Sequence, residues 1–120
     1  MKKKILIADD EPNVLLLVKL ALESDFEIIE AVDGEEALRR AQNEEPDLIL
    51  LDVMMPRING FEVCQRLKSN PSHKHIPIII LSAKAQEQDI IQGLDIGADM
   101  YLTKPFDPKK LEDLVCKFIG

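Results

Sequence analysis

Cysteine is scarce in this sequence: Cys64 and Cys116 are its two thiols. Neither sits in a Cys-x-x-Cys pair or has a histidine close by in the chain, which argues against a disulfide framework or a zinc site. Two reduced core thiols are expected instead, as suits the cytosol. Long apolar runs are also missing, since none approaches the roughly 18 residues that would span a bilayer. The start, Met1-Lys2-Lys3-Lys4, leads straight into a short strand-like run, so neither a signal peptide nor a membrane anchor is expected. Basic charge is in deficit, with 15 Lys and Arg against 22 Asp and Glu for a net charge of -7. Such a surface repels phosphate backbones and anionic headgroups, and direct nucleic-acid binding is not expected. Repeats, low-complexity tracts and linkers are absent as well.

What remains is the composition of a packed globular protein: 120 residues, 46% hydrophobic and 31% charged, enough for one domain spanning 1–120. Five short apolar runs recur, Ile5–Ala8, Phe26–Ile29, Leu48–Leu51, Ile76–Leu81 and Met100–Leu102. Their near-continuous hydrophobicity and β-branched content suit parallel strands buried on both faces. Helical spacing fills the intervals. Leu111, Leu114, Val115 and Phe118 form a stripe after Pro108, and Gly60, Val63, Cys64 and Leu67 form another that ends at Lys68-Ser69-Asn70-Pro71. Ala37, Leu38 and Ala41 mark a helix after Asp33-Gly34, and Ile90, Ile91 and Leu94 mark one that stops near Gly97. Pro12 to Ser24 is apolar almost all round, so its helix is legible while its buried face is not. Strict alternation of strand and helix predicts a doubly wound α/β fold, a parallel five-stranded sheet with five helices.

The polar residues placed on that scaffold fall at one edge. Asp9 and Asp10 end the first strand, Asp52 the third, Ser82 the fourth and Lys104 the fifth, all at carboxyl ends, where open α/β sheets bind ligands. Three crowded carboxylates repel one another unless a cation neutralises them. Mg²⁺ fits such an incomplete oxygen set because it keeps waters and takes phosphate oxygens beside one or two carboxylates. A carboxylate in this setting can attack phosphorus, with Lys104 and Ser82 binding the equatorial oxygens.

These residues sit in motifs that resemble the receiver domain of two-component response regulators across the whole chain. The motifs are Ile7-Ala8-Asp9-Asp10-Glu11-Pro12, Leu51-Asp52-Val53-Met54-Met55-Pro56 with Asn59-Gly60, Leu81-Ser82-Ala83-Lys84, Gly97-Ala98-Asp99 leading to Tyr101, and Lys104-Pro105-Phe106. The resemblance implies strand order 2-1-3-4-5 and a cis Lys104-Pro105 bond. It also implies Asp52 as phosphoacceptor, Mg²⁺ held by Asp10, Asp52 and the Met54 carbonyl with Asp9 acting mainly through water, Ser82 and Tyr101 as the switch pair, and Lys104 as phosphoryl partner. A cytoplasmic switch follows, catalysing only its own phosphorylation and dephosphorylation. Its expected partners are a sensor histidine kinase or phosphotransfer protein and a downstream effector or fused output domain. No residues here are left over to form an output domain.

Plainer roles compete with these. Asp10 could cap the helix that starts near Pro12, Lys104 could be a solvated surface lysine, and Tyr101 could be packing. His73 and His75 could in principle bind a transition metal, but two histidines in a polar loop are expected simply to be solvated. A Mg²⁺-dependent phosphatase with an Asp nucleophile would need an acid two residues on, where Met54 stands, and no Asp-x-Asp occurs. A flavin carrier would need a phosphate-binding loop after strand one, where carboxylates stand. Ile90, Met100, Lys110 and Leu114 depart from the charged pattern of receivers that form salt-bridged dimers. A monomer or weak dimer with an apolar patch for a protein partner is therefore expected.

Overall fold

The computed structural model describes residues 2–83 and 86–120; Met1 and Lys84, the last residue of the Leu81–Lys84 motif, lie outside the described residues. Strands β1 (Lys3–Ala8), β2 (Phe26–Ala31), β3 (Leu48–Asp52), β4 (Ile78–Ser82) and β5 (Met100–Thr103) alternate with helices α1 (Pro12–Leu22), α2 (Gly34–Glu44), α3 (Gly60–Ser69), α4 (Glu87–Ile96) and α5 (Pro108–Ile119). The strands form one parallel sheet in the order β2-β1-β3-β4-β5, as the resemblance implies.

Side-chain alternation along each strand splits the core into two layers. Leu6, Ala8, Ile49, Leu51, Ile78 and Ile80 face Ala37 and Ala41 of α2 and Phe61, Cys64 and Leu67 of α3. Ile5, Ile7, Leu48, Leu50, Ile79 and Leu81 face Leu15, Val18 and Leu22 of α1 and Leu111 and Val115 of α5. Every residue of β3 and β4 is buried, which is why those strands read as unbroken apolar runs. β4 begins two residues later than its apolar run, because Pro77 has no N–H to offer a ladder; its carbonyl still accepts from Ile49 N at 2.9 Å.

The helices carry their own start signals. The Asp33 side chain accepts from Glu36 N at 2.8 Å and caps α2, and the Asn59 side chain accepts from Glu62 N at 3.0 Å and caps α3. α4 stops at Gly97, whose φ of 122° suits a residue without a Cβ. Three expectations change. The single buried residue of α4 is Gly93, while Ile91 and Leu94 are exposed, so the apolar stripe read from the sequence is not the helix's core face. Met100 packs partly against the α1/α5 layer, which draws it out of the apolar patch expected with Ile90, and Leu114 packs partly on the same layer as its helical stripe implies. Cys64 is buried, with its thiol pushed up to about 11 by burial, whereas Cys116 is exposed.

Candidate functional site

β1 and β3 are neighbours, but their following helices lie on opposite faces of the sheet. Their carboxyl ends therefore open a crevice that no helix fills, at the point where strand order reverses. Asp9 follows β1, where its N–H donates to Ala31 O at 3.0 Å. Asp52 is the last residue of β3. Both carboxyl groups are buried. One carboxylate oxygen from each of Asp9, Asp10, Glu11 and Asp52 lies within 4.8 Å of the others.

Lys104 follows β5, positioned by its N–H donating to Ser82 O at 2.8 Å, and the Lys104-Pro105 peptide bond is cis. Its ammonium donates to Asp9 Oδ2 at 2.7 Å and Glu11 Oε1 at 3.1 Å, and it stands 3.5 Å from Asp52 Oδ2. A freely solvated lysine is thus not what the fold makes of it. Burial by itself would lower the Lys104 ammonium, but the hydrogen bonds to Asp9 and Glu11 and the field of Asp52 outweigh it and raise it. Burial raises the Asp9 carboxyl despite the same lysine contact. The two shifts pull in opposite senses for the ion pair; the 2.7 Å contact argues for the charged pair at neutral pH.

Asp52 is the most perturbed acid. Burial and then the neighbouring Asp9 raise its carboxyl to about 6, against the pull of Lys104 and a hydrogen bond from the Met54 N–H. The loop after Asp52 is drawn tightly back, with Gly60 N donating to Val53 O at 2.9 Å. A Cβ on Gly60 would come within 2.0 Å of the Asp52 carbonyl oxygen, so this close approach of α3 to the strand end requires glycine. Asp10 is exposed and lines an open cleft with Val53, Met54, Met55, Pro56 and Asn59. Asp10 does not cap α1. The N-cap position is Glu11, without a side-chain cap bond, and it is Asp9 Oδ1 that accepts from Glu11 N at 2.9 Å.

Ser82 is fully buried at the end of β4, and Tyr101, half-buried on β5, packs on the α2/α3 layer. Burial raises the Tyr101 phenol, and a side-chain hydrogen bond with Ser82 works in the other direction. Two residues fall outside what sequence reasoning assigned. Glu11 joins the cluster; the signal available was a third consecutive acid in Asp9-Asp10-Glu11. His73 is buried rather than solvated, and its Nδ1 has no hydrogen-bond partner among the described residues. The described acidic cluster does not include His73 or His75.

A cluster composed only of carboxylates, half buried and half open to solvent, offers hard oxygen donors and an excess of negative charge. That donor set fits a Mg²⁺-like cation better than a thiophilic metal. The profile of the response regulator receiver domain matches residues 5–116. The chain is 48% identical over 112 residues to the alkaline phosphatase synthesis transcriptional regulatory protein PhoP of Bacillus subtilis, covering 92% of this chain and 46% of that protein. It therefore spans about half the length of that relative. Among solved structures, the BeF3-activated DrrB receiver domain matches with a TM-score of 0.92 at 31% identity, over 99% of this chain and 98% of that one. The Mn²⁺-bound form of the response regulator Rcp1 matches with a TM-score of 0.82 at 34% identity, over 94% of this chain and 88% of that one.

Proposed function

We propose that this chain, which belongs to the response regulator receiver domain family, takes a phosphoryl group onto the Asp52 carboxylate. The donor is a sensor histidine kinase or phosphotransfer protein. The observation that carries this reading is the placement of Asp52, buried at the end of β3 with Asp9, Asp10 and Glu11 clustered around it and Lys104 3.5 Å away. The described residues 2–83 and 86–120 form one sheet with its helices, and we read 1–120 as a single receiver domain.

In the step proposed, one Asp52 carboxylate oxygen forms a bond to the donor phosphorus. The bond from phosphorus to the donor nitrogen or oxygen breaks, and its electron pair leaves with the donor group. Lys104 and Ser82 stand at the ends of the two neighbouring strands, where they bind the equatorial oxygens as charge spreads over them. Asp10, Asp52 and the Met54 carbonyl would hold Mg²⁺, with Asp9 reaching it mainly through water. When bound, the ion neutralises the crowded carboxylates and orients phosphoryl oxygens. That the similar response regulator Rcp1 was solved in a Mn²⁺-bound form is in keeping with a divalent ion for this family. Glu11, paired with Lys104, must release it for the lysine to turn to a phosphoryl oxygen.

Water attack at phosphorus reverses the modification, so the chain catalyses its own phosphorylation and dephosphorylation and turns over no external ester. Ser82 and Tyr101 form the switch that reports the modified state. We place the chain in the cytoplasm, in keeping with the finding that no described helix is long and apolar enough to cross a membrane. Its output passes through a protein effector or a fused output domain. Because Ile90, Met100, Lys110 and Leu114 stand where a salt-bridged dimer would need opposite charges, the chain is a monomer or weak dimer when activated. Sedimentation of the beryllofluoride-treated chain is expected to give a monomer at low and high salt. A tight dimer that dissociates as salt rises contradicts that part of the proposal.

The experiment that tests the function is labelling with acetyl phosphate. Incorporation is expected with Mg²⁺ and is expected to be lost on chelation; labelling that is indifferent to a chelator removes the metal from the mechanism.

A further inference from the structure

We propose that Gly93 is a positioning residue for Tyr101. Its missing side chain leaves the notch in α4 that seats the phenol ring near Ser82. The proposal rests on the reading of Ser82 and Tyr101 as the switch pair.

Ile80 and Tyr101 are paired in register on neighbouring strands, so their side chains lie side by side on one face of the sheet. α4 crosses above them, and Gly93 is its only buried residue. A Cβ built on Gly93 would lie 3.0 Å from Ile80 Cδ1, 3.0 Å from Tyr101 Cδ2 and 3.2 Å from Tyr101 Cε2. Those distances are shorter than ordinary van der Waals contact, so an alanine there must displace a neighbour. The Ile80 methyl is the free end of a flexible chain and can rotate aside. The ring is a rigid plane that moves only as a whole.

Glycine in a helix interior is otherwise a liability, weaker than alanine by about 1 kcal/mol. Here the close approach of the ring offsets that cost. The raised Tyr101 phenol agrees with a ring held inside by burial, with Asp89 of α4 nearby and Ser82 in hydrogen-bond contact. The atoms nearest a Gly93 Cβ belong to Ile80 and Tyr101 and not to the carboxylate cluster or Lys104, so the notch sets where the aromatic sits without entering the phosphoryl chemistry.

The chain has one tyrosine and no tryptophan, so its intrinsic fluorescence reports Tyr101 alone. In Gly93→Ala, acetyl phosphate labelling of Asp52 is expected to match the parent. Acrylamide quenching of the tyrosine is expected to rise before activation, and the change that beryllofluoride produces in the parent is expected to shrink. Overpacking equivalent to about 1.4 kcal/mol lowers occupancy of the seated ring position about tenfold relative to displaced ones. A second comparison holds even if that variant folds poorly. In a Tyr101→Ala background the ring is gone and, of the atoms nearest the notch, only the flexible Ile80 methyl remains, so Gly93→Ala is expected to raise the melting temperature through helix propensity. Unchanged quenching in Gly93→Ala overturns the proposal, as does the same melting shift with and without the ring. Failure of the parent chain to label at Asp52 would reject the phosphoacceptor assignment instead, and the two melting shifts would still report on the notch.

Discussion

Without Mg²⁺ and near neutral pH, Asp52→Asn is expected to be more stable than the parent chain by about 3 kcal/mol. The Asp52 carboxyl is raised from 3.8 to about 6 by burial and by Asp9, and each tenfold change in proton affinity is worth about 1.4 kcal/mol. The sign follows from linkage. A carboxyl that binds its proton more tightly in the folded chain favours folding where it is protonated in both states. That contribution is lost as pH rises from about 4 to about 6, and above that range the penalty for holding an ionised Asp52 is complete. Asparagine keeps the shape and removes the titration, so the difference between the two chains is expected to grow across that window and then level off. Urea unfolding from acid to neutral pH measures it. Equal stability of the two chains at neutral pH would mean that Asp52 is not strained by its surroundings.

Mg²⁺ is expected to reverse that penalty. An ion that binds only the folded crevice stabilises by about 2.7 kcal/mol at a hundredfold excess over its Kd, which for a chain of this size raises the melting temperature by roughly 10 °C. The increment is expected to vanish in an Asp9→Ala/Asp10→Ala double variant. That chain also has a lower baseline, because Lys104 loses its 2.7 Å partner, so the readout is the metal-induced shift and not the melting temperature itself. Protons compete for Asp52, and the shift in the parent should therefore shrink below about pH 6. An equal shift in parent and double variant would place the ion elsewhere.

The sheet was the most legible part of the chain. Ile49, Leu50, Ile78 and Ile79 are buried on both sides of the sheet, and their short length and β-branched content mark such runs as strands covered by helices. The cluster was legible because Asp9 and Lys104 directly follow strands and Asp52 ends one, and parallel strands bring all their carboxyl ends to one edge. Helix faces were harder to read. α1 carries leucines all round, and only packing decides that Leu15, Val18 and Leu22 turn inward while Leu16, Leu17 and Leu20 stay exposed. α4 misleads outright, since its buried position is a glycine, a residue with no hydrophobic signal, and its neighbours Ile91 and Leu94 are exposed. His73 and Cys116 were misjudged as well: a loop histidine is buried and a cysteine within a helix is exposed, and residue type alone specifies neither outcome. Glu11 is contiguous with Asp9 and Asp10, but its pairing with Lys104, 93 residues away, is a contact that only the fold creates.

The phosphoacceptor assignment is tested most directly by locating the phosphate. The chain is treated with acetyl phosphate and Mg²⁺, the acyl phosphate is reduced with borohydride, and the digested peptides are mapped by mass spectrometry. The modification is predicted on Asp52 and nowhere else, with none in Asp52→Asn. Modification of Asp9, Asp10 or a histidine in the parent chain, or full labelling of Asp52→Asn, would contradict the account.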